Sequence, residues 1–259
     1  KQGTFQISAS GNRTLSVKEN VTVETSGKIE VGNVTGVHDF IISGDFVNYG
    51  QVKFSLLSQP DYTGSNNRHV DVYFDNATKD QYVKCNGVTE FYRIVVNKGI
   101  DQTYILNIDA SSTSNFKLFG RNNLDATGYP PNITNRKALD ILVGTLRLGN
   151  NIVIPSLCGT NLVYYIDEDA MLWLDGATVD FSNSTTGDGS TFLLYGGYKQ
   201  TGNSNFLDNS KQGFVVRITG QIFIEGGNLS TEIIRTSYQP GTHRGSFTMS
   251  GGVVNLRGS

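Results

Sequence analysis

The residues best suited to chemistry in this chain are acidic. Asp167, Glu168 and Asp169 stand together, with Asp175 and Asp180 just beyond. Carboxylates can hold Ca²⁺, which takes six to eight oxygen ligands, beside a basic residue that abstracts a proton next to a uronate carboxylate. Two carboxylates across a cleft can also cleave a glycosidic bond. Asp167 and Asp169 share one face of an extended segment and Asp175 lies past the next turn, so these three are the weak candidates for a Ca²⁺ site. The ordinary role of such a Tyr-Ile-Asp-Glu-Asp-Ala stretch is a solvated turn. Asp188, between two glycines, reads as a turn residue. The histidines, His38, His69 and His243, are far apart and lack metal-binding spacing. No nucleophile elbow, phosphate loop or dinucleotide fingerprint occurs, so no catalytic residue is assigned. Tyr62, Tyr73, Tyr164, Tyr165, Tyr195 and Tyr198 could contact glycans from loops, although half-buried strand positions are their usual setting.

A second group depends on a recurring phrase, an apolar–x–apolar pair closed by glycine or a small polar residue. Copies include Ile29-Glu30-Val31, Val52-Lys53-Phe54, Leu146-Arg147-Leu148, Leu172-Trp173-Leu174, Ile222-Phe223-Ile224 and Phe247-Thr248-Met249. In an extended strand the flanking residues face one side and the middle one the other. If successive copies stack, the outward column reads Glu30, Lys53, Asp71, Val95, Lys117, Arg147, Trp173, Leu193, Phe223, Thr248. Its first half is mostly charged, as a solvated face should be. Its second half places Arg147, Trp173, Leu193 and Phe223 on successive layers, a strip able to contact sugar rings or another chain, unless a loop covers it.

The elements that must position these residues are strands. The phrase returns about every 24 residues between 29 and 247, a two-residue alternation nested in a longer repeat, as stacked coils require. The expectation is a right-handed parallel β-helix of about ten coils, roughly 48 Å long at ~4.8 Å per coil. A β-sandwich is the competing architecture. Gln59–Arg68, Asn122–Arg136 and Gly196–Lys211 are rich in turn residues and are expected to be excursions. Asn135–Leu142 could form one helical turn. Residues 1–259 are read as one domain.

Composition agrees. The chain of 259 residues is 37% apolar, with 30 glycines, 5 prolines and little alanine, which suits short strands and many turns. A net charge of −2 gives no footprint for nucleic acid or anionic membrane. No apolar run reaches the 18 residues of a membrane-spanning helix. Cys85 and Cys158 are too few for a disulfide scaffold and, about three coils apart, read as buried apolar residues. Seven Asn-x-Ser/Thr triplets occur against roughly four expected by chance, so stacked asparagine ladders are the plainer reading. The first and last residues lie in strand-like sequence, and the chain reads as a processed or excised piece of a longer protein.

The segments Cys85–Tyr92, Gly144–Gly149 and Ile166–Ala177 resemble large secreted or surface β-helix proteins of the Bacteroidetes type, pectate-lyase-like in fold. The resemblance lies in strand grammar and brings no functional residue with it. It implies export to the cell surface. On this reading the chain is a non-enzymatic structural or adhesion segment that presents loops and the Arg147–Phe223 strip to a glycan or protein partner. A polysaccharide lyase or glycoside hydrolase on the same scaffold is the rival, and a spacer without ligand is the third possibility. No cofactor is expected beyond weakly indicated Ca²⁺.

Overall fold

A computed structural model of the chain describes residues 3–60, 68–121, 137–182, 189–236 and 245–258. Strand makes up 58% of it, and helix among the described residues is a 3-10 turn at Thr113–Asn115. The strands pair in parallel, each with a strand one turn away, and they stack as a β-solenoid of about nine turns. This agrees with the β-helix of about ten coils expected from the sequence to within one turn. No helix among the described residues is long and apolar enough to cross a membrane.

Each turn gives one strand to each of three walls. The first wall runs through Gly3–Ile7, Gly27–Val31, Gln51–Lys53, Val88–Phe91 and Phe116–Leu118. Beside the last of these it resumes with Val153–Ile154, then Thr178–Asp180, Asn205–Leu207 and the second halves of Gln221–Thr231 and Ser246–Leu256. The second wall holds Thr14–Val17, Gly36–Ile42, Arg68–Phe74, Arg93–Asn97 and the first half of Leu139–Leu148. Val163–Ile166, Thr191–Leu194, Phe214–Val216 and Ile234–Thr236 form its later part. The third wall, Val21–Val23 to the first half of Ser246–Leu256, is continuous through Phe46–Asn48, Gln81–Cys85, Ile105–Ala110, Leu139–Leu148, Ala170–Asp175 and Gly197–Thr201.

Alternation makes this winding stable. Along Ala170–Asp175 every second residue is buried, and the inward rows stack into one core that includes Val31, Val52, Phe54, Leu146, Leu148, Leu172, Leu174, Ile222 and Ile224. Ile29, also expected inward, is partly buried against the same core. Each buried aliphatic side chain contributes about 1.5–3 kcal/mol. Aromatic rings fill the later turns, where Phe192 and Phe214 stack at 4.6 Å. The buried Tyr164 hydroxyl donates to the Leu139 carbonyl at 2.6 Å, so it carries no unmet polar cost.

The turns stack as well. At one corner a Cβ on Gly87 would lie 2.1 Å from the Gly50 carbonyl oxygen, and one on Gly50 would lie 2.3 Å from that of Gly27, so only glycine fits there. Elsewhere a side-chain oxygen accepts a backbone N–H from the next turn. Asn20 Oδ1 accepts from Asp45 N–H at 2.8 Å, and Asp45 Oδ1 from Tyr82 N–H at 2.9 Å. Asparagine therefore caps backbone more than it pairs with asparagine, although Asn255 does donate to Asn228 Oδ1 at 2.7 Å.

Two local expectations need correction. Gly196–Lys211 is no excursion: it contains the strands Gly197–Thr201 and Asn205–Leu207, because Tyr198, Gln200 and Phe206 point into the core. The segment proposed for a helical turn enters the strand Leu139–Leu148, and its first residues lie outside the described ones. The excursions near 59–68 and 122–136 fall largely outside the described residues, as do Tyr62, Asp188 and His243. Cys85 and Cys158 are buried and form no disulfide, and burial pushes the Cys85 thiol up to about 12.

Candidate functional site

The outer face of the third wall carries the strip. Its register partners run Tyr82, Asn107, Arg147, Trp173, Lys199, Phe223, Thr248. Arg147, Trp173 and Phe223 do share one column, as read from the sequence. Leu193 does not. It lies on the second wall between Tyr165 and Val215, and Lys199 takes its layer. The column read from sequence had mixed three walls: Glu30, Lys53 and Lys117 belong to the first, Asp71 and Val95 to the second. Tyr198-Lys199-Gln200 departs from the phrase, burying a glutamine where the other copies have an apolar residue.

Trp173 is held from both neighbouring turns. The Arg147 guanidinium lies 5.6 Å and Lys199 Nζ 5.0 Å from its ring, and its indole N–H donates to Thr201 Oγ1 at 2.8 Å. An acidic column runs alongside. Arg147 binds Asp175 at 2.7 Å and Asp109 at 3.1 Å, and Lys199 binds Glu225 at 3.0 Å. Burial alone would lower the Arg147 pKa, but hydrogen bonds and charge from Asp175 and Asp109 outweigh it and raise it. Burial likewise works to raise Asp175, and the Thr201 hydroxyl and Arg147 overcome it and hold it low. With cations on both sides of the ring, the indole offers its edge to solvent; the open face on which a sugar would stack is taken.

The acidic candidates do not converge. Asp167 lies 3.6 Å from Lys137 Nζ, and Asp175 is bound to Arg147. Asp169 uses its backbone carbonyl to accept the Gly144 N–H at 3.0 Å. Among the described residues no three His, Cys, Asp or Glu side chains are grouped to hold a metal.

A second cluster, on the outer face of the second wall, was not expected. Asp71, assigned from sequence to a solvated face, is 2% exposed. Arg93, its partner one turn on, donates to Asp71 Oδ2 at 3.0 Å, to Asp140 Oδ2, and to the Lys137 carbonyl at 3.2 Å. Lys137 is buried. Its Nζ lies 3.2 Å from Asp140 and 3.6 Å from the centre of the Tyr165 ring, and it donates to the Tyr165 carbonyl at 3.1 Å. His69 Nε2 is 3.4 Å from Asp71 Oδ1, and its ring stacks on Tyr92 at 3.8 Å. Lys137 and Tyr164 also bridge Leu139–Leu148 to Val163–Ile166, where strand pairing lapses. Nearby, burial and then the charge of Asp71 raise Asp39, and burial raises Asp167 against the pull of Lys137. The available signal was a charge set within the apolar strands His69-Val70-Asp71-Val72 and Leu139-Asp140-Ile141.

No protein-family model, curated protein or solved structure matches the chain.

Proposed function

We propose that the chain is a non-enzymatic, exported cell-surface segment, a stiff solenoid that presents its third wall to a protein partner. One observation carries this reading: the charges beside the third-wall strip and in the second-wall cluster pair with one another across adjacent turns. Arg147 is divided between Asp109 and Asp175, Lys199 is paired with Glu225, and Arg93 is divided between Asp71 and Asp140. A lyase or hydrolase needs carboxylates and a base facing an open groove. A protein partner suits a surface of indole edge, Phe223 and alternating charge better than a sugar does, because sugars favour an open aromatic face. The surface location and the pectate-lyase-like type rest on the resemblance in strand grammar.

The rival reading, a carbohydrate-active enzyme, is favoured by the buried Asp71–Arg93–Asp140 cluster beside a raised Asp39. Perturbed carboxylates next to cations are what active sites collect, as do structural ion networks. A panel of uronate-containing and neutral polysaccharides, with and without Ca²⁺, separates the two. The expected result is no depolymerisation. Cleavage that disappears in Asp71→Asn or Asp140→Asn would replace this proposal with the enzyme reading.

A further inference from the structure

Two lysines among the described residues are fully buried, and they are held in different ways. Lys98 Nζ donates to three oxygens, the Asn76 and Lys79 carbonyls and Gln81 Oε1, at 2.9 to 3.0 Å. An ammonium has three protons to give, so Lys98 is satisfied without a carboxylate. Lys137 Nζ donates to the Tyr165 carbonyl at 3.1 Å and otherwise faces two carboxyl groups, Asp140 Oδ1 at 3.2 Å and Asp167 Oδ2 at 3.6 Å. The Tyr165 and Tyr164 rings, centred 3.6 and 5.8 Å from Nζ, put apolar surface around it.

The winding brings these groups together from two turns. Lys137 lies just before the strand Leu139–Leu148, which carries Asp140, and Asp167 directly follows Val163–Ile166. Arg93 holds Asp140 Oδ2, whereas Asp140 Oδ1 has no hydrogen-bond partner among the described residues and lies beside Lys137. Asp167 sits at the edge of the cluster, its side chain 27% exposed, so a small leaving group has a way out. Burial raises the Asp167 carboxyl, which eases its conversion to the neutral acid. A buried ion pair keeps a desolvation cost that a neutral amide does not. Groups held within reach of each other also react at effective molarities of about 10⁵–10⁸ M, which favours condensation over the separated pair.

We infer that Lys137 and Asp167 join in an intramolecular isopeptide bond, with Asp140 carrying the proton between them. Until the bond forms, the three groups are ion-paired. Asp140 Oδ1 takes one proton from the ammonium and hands it to Asp167, which becomes the neutral acid. The amine lone pair then forms the Nζ–Cγ bond. A second nitrogen proton moves through Asp140 to the departing hydroxyl, the Cγ–O bond breaks, and water leaves. Ammonium and carboxylate together hold the atoms of one amide and one water, so no oxidant, reductant or co-reactant is consumed, and Asp140 ends as it began. The bond ties adjacent turns at the place where strand pairing of the second wall lapses, a covalent staple in place of the missing ladder.

Mass spectrometry tests this directly. The intact 259-residue chain should be one water lighter than its sequence. Digestion should yield a branched peptide that joins residue 137 to residue 167. Lys137→Arg and Asp167→Ala should each keep the full sequence mass, and Asp140→Asn should be recovered mostly at full mass. Wild type at full sequence mass overturns the inference, and that measurement decides even if a variant fails to fold. A bond to Asp140 in place of Asp167 overturns it too. So does a water lost as a succinimide at Asp175-Gly176, which leaves a linear peptide. Asp140→Asn that joins as completely as wild type overturns the assigned proton path.

Discussion

Arg147 and Trp173 are register partners on adjacent turns of one wall, with the guanidinium 5.6 Å from the indole and tied at its other side to Asp109 and Asp175. The winding thus turns a sequence spacing of one coil into a through-space contact. Partly desolvated cation–π pairs are worth about 0.5–2 kcal/mol. A double-mutant cycle with Arg147→Ala and Trp173→Ala, read by urea denaturation, should give a coupling of about 0.5–1 kcal/mol. Zero coupling would mean that the two merely lie side by side.

Removing the cation from the second-wall cluster should cost far more. Arg93→Ala leaves Asp71 and Asp140 buried without the guanidinium that divides between them, and breaking a buried ion pair from one side costs about 3–5 kcal/mol. Arg93→Lys should recover only part of this, since an ammonium cannot fork to two carboxylates in the same way. Denaturant midpoints of the two variants check the order.

The inward rows are expected to be intolerant of charge. Leu172 is fully buried between Leu146 and Tyr198. Leu172→Ala should cost about 2–5 kcal/mol, and Leu172→Asp should abolish the cooperative melt. An unaltered melt for Leu172→Asp would refute the inward placement. By contrast, Thr248→Asp, on the outward column, should shift the midpoint little.

Stability should fall on mild acidification. His38 is fully buried, and burial, then the nearby Arg13, lower its pKa from the usual value near 6.5. The unfolded chain therefore binds the proton first. The native state keeps its full advantage above about pH 6.5 and loses it as pH falls from there through the lower folded value. Asp39, Asp167 and Asp208, all raised by burial, act in the opposite sense nearer the ordinary carboxylate range. Thermal midpoints at pH 7.5 and 5.5 should differ for wild type by more than for His38→Phe. Equal slopes would remove His38 from the account.

Much of the architecture was legible because it follows from alternation. Leu146, Leu172 and Ile222 announce an inward row by type and spacing, and the rows held. What the sequence concealed was which wall a strand belongs to. Phe192-Leu193-Leu194 has the same grammar as Leu172-Trp173-Leu174, yet the two strands lie on different walls, because three strands per turn share one pattern and loops of unequal length break the period. Lys199 was hidden by the buried Gln200, whose amide is satisfied by the Tyr198 hydroxyl and the Ser204 carbonyl. The cluster of Asp71, Arg93, Lys137 and Asp140 was hidden for another reason. Asp71, Arg93 and the Lys137–Asp140 pair are far apart in sequence, and nothing local distinguishes a charge that pairs inside an outer face from one that is solvated.

The most direct test is a cross-link between neighbouring turns. Register partners in parallel strands lie about 4.8 Å apart, within the 4.4–6.8 Å Cα separation of a disulfide, and the native thiols of Cys85 and Cys158 are buried. Trp173→Cys with Lys199→Cys should form an intramolecular disulfide under mild oxidation, detected by mass spectrometry of the digested protein, while Trp173→Cys with Leu193→Cys should not. A bond between positions 173 and 193, with none between 173 and 199, would contradict the winding on which the site and its paired charges depend.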